Sequence, residues 1–283
     1  MTAEARGTRP PERGSVPEYS VVIPAYNEER RLPPALRELT DYGNARGTDF
    51  EVIAVVERSR DRTLQRAVEV AARRPPVRVI DNPIHRGKGY AVRTGVHRAR
   101  GGIIFVMDAD LSVPVNHVGY FLDRFAEDPG IDLLVGNRQH PDSLITRRQS
   151  RVREMMGKSF NRIVRIFGYS RMLDTQCGFK AYRSNAARAI FERQMLDGFV
   201  CDLEAIMLAE TMGFRVVEMP VRWVNSPESR VRLFVDSLHM LLDLLRLRRL
   251  VRQTLRDHPY PDGTAGTPLP GSPAEADAER VRE

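Results

Sequence analysis

Residues 102–114 read GIIFVMDADLSVP, an apolar run that ends at two aspartates, Asp108 and Asp110, with a proline four residues beyond the second. An unbroken apolar run without alternation reads as a strand buried on both faces, as in a parallel sheet covered by helices. Ligands of open α/β sheets bind outside the carboxyl ends of the strands, and the two carboxylates fall there. Hard oxygen ligands at such a place suit Mg2+ or Mn2+ bridging diphosphate oxygens. The ion would neutralise charge on a departing nucleotide diphosphate. A D-x-D triplet alone is common on protein surfaces; its position after this strand gives it weight.

The pattern extends to both sides. YSVVIP (19–24), FEVIAVV (50–56), VRVI (77–80) and IDLLVG (131–136) read as strands. Helical spacing fills the intervals at 28–40, 61–73, 88–100 and 115–127. Strands alternating with helices imply a mostly parallel sheet covered on both faces. Further along, 147–167 reads as a basic amphipathic helix, and DTQCGFKAY (174–182) as a strand with a turn at Gly178. Helices at 184–192 and 202–212 and a strand RVVEMPV (215–221) follow. The last element, 231–256, is a long helical pattern with Phe234, Leu238, Leu241, Leu242 and Leu245 on one broad face and Arg232, Arg246, Arg249 and Arg252 mainly elsewhere. Such a helix either lies in an anionic membrane interface or packs on the preceding domain. Residues 1–18 and 258–283 are rich in Pro, Gly and charge and are expected to be disordered.

The 283 residues include two cysteines, Cys177 and Cys201, which argues against a disulfide framework and fits a reducing compartment. The N-terminus has no apolar core of a signal peptide, and no stretch reaches the roughly 18 uncharged apolar residues of a spanning helix. A cytoplasmic protein, either free or attached to the inner face of the cell membrane, is the expectation. Net charge is +7, which suits nucleotides, phosphates or an acidic lipid surface. Nucleic acid is not expected, since no aromatic-interleaved basic strand or zinc spacing occurs. The 44 basic residues include only three lysines, and two of them, Lys88 and Lys180, fall inside motifs.

One motif is IPAYNE (23–28), where the first strand gives way to a helix whose N-terminus favours anions, with Asn27 as a possible cap. Another is NPIHRGKG (82–89), a basic glycine-rich loop whose backbone can approach a phosphate. It matches neither G-x-G-x-x-G nor the Walker pattern, which disfavours a dehydrogenase or ATPase. Within it His85 reads as a loop residue rather than a metal ligand.

Taken in order, VVIPAYNEERRLPPAL, NPIHRGKGYAVRTG, MDADLSVP, GNR (136–138), DTQCGFK, DGFVCDLE (197–204) and VRWVNSPESRVRL (221–233) resemble the family 2 glycosyltransferases of GT-A fold. The resemblance is closest to the branch of dolichyl-phosphate β-glucosyltransferases and their prokaryotic relatives. It implies that Pro24, Tyr26, Glu28 and Lys88 line the nucleotide-sugar site, with Asp108 and Asp110 handling ribose, diphosphate and metal. Two departures stand out. Where the family has V-D-D-G-S, this chain has Val55-Val56-Glu57-Arg58-Ser59, so Glu57 inherits the contact to base or ribose and base selection is open. Ser112 stands where some mannosyl relatives place a glutamine ligand.

On the acceptor side, Arg138, Arg147, Arg148 and Arg151 follow the fifth strand, the last three at i, i+1 and i+4 of the expected helix. Guanidinium groups suit bidentate phosphate binding. Asp202 reads either as a general base for a hydroxyl acceptor or as the cap of a helix starting at Leu203. A phosphate acceptor is already ionised and needs no base, so Asp202→Asn is then expected to be mild.

These readings give disordered 1–18, a GT-A α/β catalytic domain at 19–230 (Rossmann-like, mostly parallel sheet, helices on both faces), an amphipathic helical extension at 231–257 and a tail at 258–283. The expected reaction is inverting transfer of a hexose, glucose first, from a nucleotide sugar such as UDP-glucose to a polyprenyl phosphate. A GDP-mannose enzyme, a transferase for a small hydroxyl acceptor and a non-catalytic nucleotide-sugar binder are the alternatives.

Overall fold

The computed structural model describes residues 16–147, 151–166, 169–170, 172–225 and 233–260; most of both expected tails therefore lies outside the described residues. The strands are β1 (Tyr19–Ala25), β2 (Phe50–Glu57), β3 (Val77–Asn82), β4 (Ile103–Val106), β5 (Leu133–Asn137), β6 (Leu144–Arg147), β7 (Lys180–Arg183), β8 (Val216–Pro220) and β9 (Arg222–Val224). The helices are α1 (Leu32–Arg46), α2 (Thr63–Ala71), α3 (Lys88–Val96), α4 (His117–Glu127), α5 (Arg151–Ile166), α6 (Ser184–Arg193), α7 (Cys201–Thr211) and α8 (Leu233–Asp257).

Seven strands form one sheet in the order β3-β2-β1-β4-β7-β5-β8. β7 runs antiparallel to both neighbours, and the other pairs are parallel. Burial on both faces follows the two-residue period. Tyr19, Val21 and Ile23 of β1 join an apolar cluster with α1 and α4, whereas Val22 joins another with α3, α6, α7 and α8. In β2, Val52, Ala54 and Val56 face the first cluster, and Ile53 and Val55 the second. This two-sided burial is why the strands read as unbroken apolar runs.

Several boundaries differ from the sequence reading, each for a local reason. α1 begins at Leu32, not at residue 28, because Pro33 and Pro34 are tolerated only in a helix's first turn. It ends at Gly47, whose φ of 67° provides a left-handed cap. The helix expected from 147 begins at Arg151, and Arg147 instead closes β6, which pairs in parallel with β9. Arg147 and Arg151 therefore do not share a helical face, and Arg148 lies outside the described residues. The strand expected over 174–182 is confined to β7, since the preceding residues form a loop that turns toward β4.

α8 packs against α7, and its Leu244, Leu247 and Val251 belong to the second apolar cluster. Leu241, Leu242 and Leu245 remain exposed on the other side. The side chains of Phe234 and Leu238 lie outside the described residues. At the expected start of the tail, the carbonyls of His258 and Pro259 accept hydrogen bonds from Arg193, and the Tyr260 ring packs on Phe214.

Candidate functional site

The order of strands reverses between β1 and β4, so the loops at their carboxyl ends open a crevice there. Asp108 and Asp110 lie on the loop after β4. Leu111 adopts φ 46°, and the Ser112 amide donates to Asp110 Oδ1 at 3.0 Å, which curls the loop around the second carboxylate. The outer face of this loop is held by β9, where the Val224 amide donates to the Ser112 carbonyl at 2.8 Å. Gly178 approaches from the loop before β7: a Cβ there would sit 1.8 Å from Asp108 Oδ2, so glycine is required for the contact.

Positive charge meets these carboxylates from one side. Lys88 Nζ, at the start of α3, lies 3.0 Å from Asp108 Oδ1 and 3.0 Å from Asp202 Oδ2. Lys180, fully buried on β7, donates to Asp202 Oδ1 at 2.7 Å and to the Cys177 carbonyl at 2.6 Å. Burial works against charge on Asp202, but Lys180 and Lys88 outweigh it and hold the carboxyl below its usual range. Burial likewise opposes the charge on Lys88, and Asp108 and Asp202 carry its pKa well above the ordinary lysine value. Asp202 is therefore not the cap of α7. It lies inside the helix, and its partners are two ammonium groups.

Asp110 differs. Burial, and next the charge of Asp108, push its carboxyl upward. Arg31 stands 3.8 Å away but is engaged by Glu28. A half-buried carboxylate pair whose second member is short of positive charge suits a divalent ion. Among the described residues no group of three or more His, Cys, Asp or Glu is placed to hold a metal. Mg2+ commonly takes one or two carboxylates and completes its shell with substrate phosphates and water, so the donor set fits such an ion.

Pro24, Tyr26, Glu28 and Glu57 lie at or just past the carboxyl ends of β1 and β2. Asn27, at φ 55°, receives the Arg60 amide on its side chain and donates its own amide to Ser59. It ties the two loops together and does not cap α1. Glu57 is buried and accepts from the Arg86 and Gly87 amides at 3.1 Å and from His85 Nδ1 at 2.6 Å. It anchors the 82–89 loop, which corrects its expected role as a direct contact to base or ribose. The expected phosphate cradle in that loop is also corrected. Its Arg86 and Gly87 amides go to Glu57, and the Gly89 amide to the Asp197 carbonyl. Gly87, at φ 130°, permits this close approach to residues 197–198. The loop's contribution to the site is Lys88.

Of the arginines expected to bind an acceptor phosphate, Arg138 is already neutralised. Its guanidinium pairs with buried Asp174 through Nε at 2.6 Å and Nη2 at 2.8 Å, and it lies over the Trp223 ring. Burial disfavours its charge, but Asp174 raises its pKa further above the arginine value. Arg147 is paired in register with Val224, the residue whose amide reaches the Asp110 loop, so its backbone lies beside the crevice. Sequence reasoning missed Asp174, Arg31 and Asp197. Asp197 binds Arg86 and Arg93, each at 2.8 Å, and so locks the helix start that carries Lys88.

The family model described as "Glycosyl transferase family 2" matches residues 20–191. The chain is 32% identical over 243 residues to a dolichyl-phosphate beta-glucosyltransferase of Drosophila melanogaster, covering 81% of this chain and 74% of the relative. It is 30% identical over 247 residues to the Saccharomyces cerevisiae protein of that name, covering 81% and 73%. Glucosyl-3-phosphoglycerate synthase of Mycobacterium tuberculosis, crystallised with Mg2+ and uridine diphosphate, shares the fold at a TM-score of 0.61 and 19% identity, over 82% of this chain and 79% of that one.

Proposed function

The chain belongs to the family 2 glycosyltransferases, and from that membership we propose that it transfers glucose from UDP-glucose to a polyprenyl phosphate with inversion at the anomeric carbon. The relatives named as dolichyl-phosphate glucosyltransferases support the sugar and the acceptor class. The observation that carries the acceptor assignment is Asp202. In a hydroxyl-accepting enzyme a carboxylate must take a proton as the acceptor attacks. Here the candidate is buried and stabilised as an anion by Lys88 and Lys180, which makes it a poor base. An acceptor that arrives ionised needs none.

A phosphate oxygen then attacks C1 of the sugar in line, the bond from C1 to the diphosphate oxygen breaks, and the electron pair leaves with the nucleotide diphosphate. Asp108 and Asp110 would hold Mg2+ or Mn2+, which when bound supplies charge neutralisation to the departing diphosphate. Lys88, kept protonated by Asp108 and Asp202, adds a fixed positive charge beside them. Pro24, Tyr26 and Glu28 line the nucleotide end. Arg147 and Arg151 would meet the acceptor phosphate; for Arg147 the reading is supported by the pairing of β6 with β9, whose Val224 amide reaches the Asp110 loop.

No helix among the described residues is long and apolar enough to cross a membrane. The exposed Leu241, Leu242 and Leu245, with exposed Arg246 and Arg249 alongside, support contact of α8 with a lipid surface where the acceptor resides. The test is nucleotide release from a panel of nucleotide sugars, with and without a short polyprenyl phosphate. Release from UDP-glucose that depends on the prenyl phosphate supports the reading; release that ignores it, or that needs a hydroxyl acceptor, overturns it.

A further inference from the structure

The 82–89 loop carries one side chain that the reaction above does not use. The His85 ring lies parallel to the Tyr26 ring, with centroids 3.7 Å apart and 2° between planes. Its Nδ1 is 2.6 Å from Oε2 of Glu57, a buried carboxylate that also receives two backbone amides. An ionised carboxylate only accepts hydrogen bonds, so Nδ1 carries the proton, and in the neutral ring Nε2 is left as the acceptor. His85 is nearly half exposed, and among the described residues its Nε2 makes no hydrogen bond. Stacking and the Glu57 bond fix the ring on a loop that is itself anchored, so this free acceptor is held in place at the crevice.

The position matches one part of the donor. With diphosphate at Asp108 after β4, a nucleoside directed across β1 toward β2 would pass Tyr26 and reach His85 beside Glu57. Strands are about 4.8 Å apart, so the two strand spacings from β4 to β2, where His85 meets Glu57, are about the reach of a nucleoside from its diphosphate. On the basis of the transferase reading, we infer that His85 reads the nucleobase, its Nε2 accepting a hydrogen bond from a ring N–H adjacent to a carbonyl. Uracil offers this group at N3 and guanine at N1; cytosine and adenine have bare nitrogens at the corresponding edge. Glu57, the apparent heir of the family's base-contacting acid, acts one step back by fixing the tautomer and ring plane of His85.

The test is calorimetric binding, with Mg2+ present, of UDP, GDP, CDP, ADP and N3-methyl-UDP to the full chain and to His85→Ala and His85→Gln. The wild type binds UDP or GDP best, and N3-methylation weakens UDP about tenfold, the scale of one hydrogen bond. His85→Ala binds UDP and N3-methyl-UDP within about twofold of each other, while His85→Gln, which keeps an acceptor, retains part of the difference. CDP binding carried through to the variants shows that their sites are intact. A methylation penalty that survives in His85→Ala, or a wild-type preference for CDP or ADP, overturns the inference and leaves the transferase reading standing. Failure of the wild type to bind any nucleoside diphosphate overturns both.

Discussion

Replacing Asp202 by Asn keeps the shape of the side chain and removes its charge, leaving two ammonium groups where a carboxylate held them. Lys88 retains Asp108 at 3.0 Å. Lys180 is wholly buried and keeps only the Cys177 carbonyl and a neutral amide oxygen. Removing one member of a buried ion pair costs about 3–5 kcal/mol, because the other charge stays uncompensated. At about 2–4 °C per kcal/mol for a domain of this size, Tm falls by roughly 6–20 °C. The mild effect expected from sequence concerned transfer; this cost falls on stability, through two lysine partners that the sequence did not reveal. Activity measured on that variant alone mixes unfolding with chemistry. The double variant Asp202→Leu with Lys180→Met separates them, because apolar residues of similar volume in place of a buried pair are often neutral or stabilising. Scanning calorimetry should show Tm recovered, and transfer to a prenyl phosphate should return to within about tenfold of wild type, since no proton leaves the acceptor. A double variant that melts like wild type yet remains about 10²–10⁴-fold slower, the loss typical of a missing general base, would show that Asp202 takes a proton from the acceptor.

Asp110→Ala should abolish transfer and leave Tm unchanged or slightly raised by differential scanning fluorimetry, because it relieves repulsion with Asp108. Full activity of the wild type in EDTA would remove the metal from the account. Gly178→Ala forces a Cβ into Asp108, so kcat should drop at least about a hundredfold while circular dichroism stays native. Glu204 is pushed up to about 7 by burial. The folded state then binds the extra proton between the unfolded value of about 4.3 and about 7, so stability falls as pH rises through that window and levels off above it. Glu204→Gln should flatten that slope in Tm measured against pH. Leu247→Ala, at a wholly buried position of α8, should cost about 2–5 kcal/mol in urea unfolding; a loss under about 0.5 kcal/mol would mean that α8 does not pack on the domain.

What the sequence showed clearly is what depends on neighbours along the chain. β1, β2 and β4 are buried on both faces, so apolar runs of four to eight residues marked them without any knowledge of their partners. β6 and β9, reading LITR and RWV, are short and mixed in polarity, and no periodicity could declare them. With β6 went the placement of Arg147. The scarcity of lysine was a legible signal, since two of three lysines sit in one charge cluster. Their shared partner was not legible: Asp202 lies 22 residues from Lys180 and much further from Lys88. Its position near a helix start suggested a cap, and only the packing of α3 and β7 against α7 reveals the ion pairs. Glu57 shows the same limit. Its place in the motif pointed to the ligand, while the 82–89 loop that consumes its oxygens arrives from the next strand.

Whether the acceptor attacks as an anion is tested by one competition. Polyprenyl phosphate and the polyprenol with the same tail are mixed in equal amounts with UDP-glucose, Mg2+ and the full chain, and the lipid products are identified by mass spectrometry. Glucose is expected on the phosphate alone, in β configuration. Glucosylated polyprenol, or an α-linked phosphate product, would contradict that expectation.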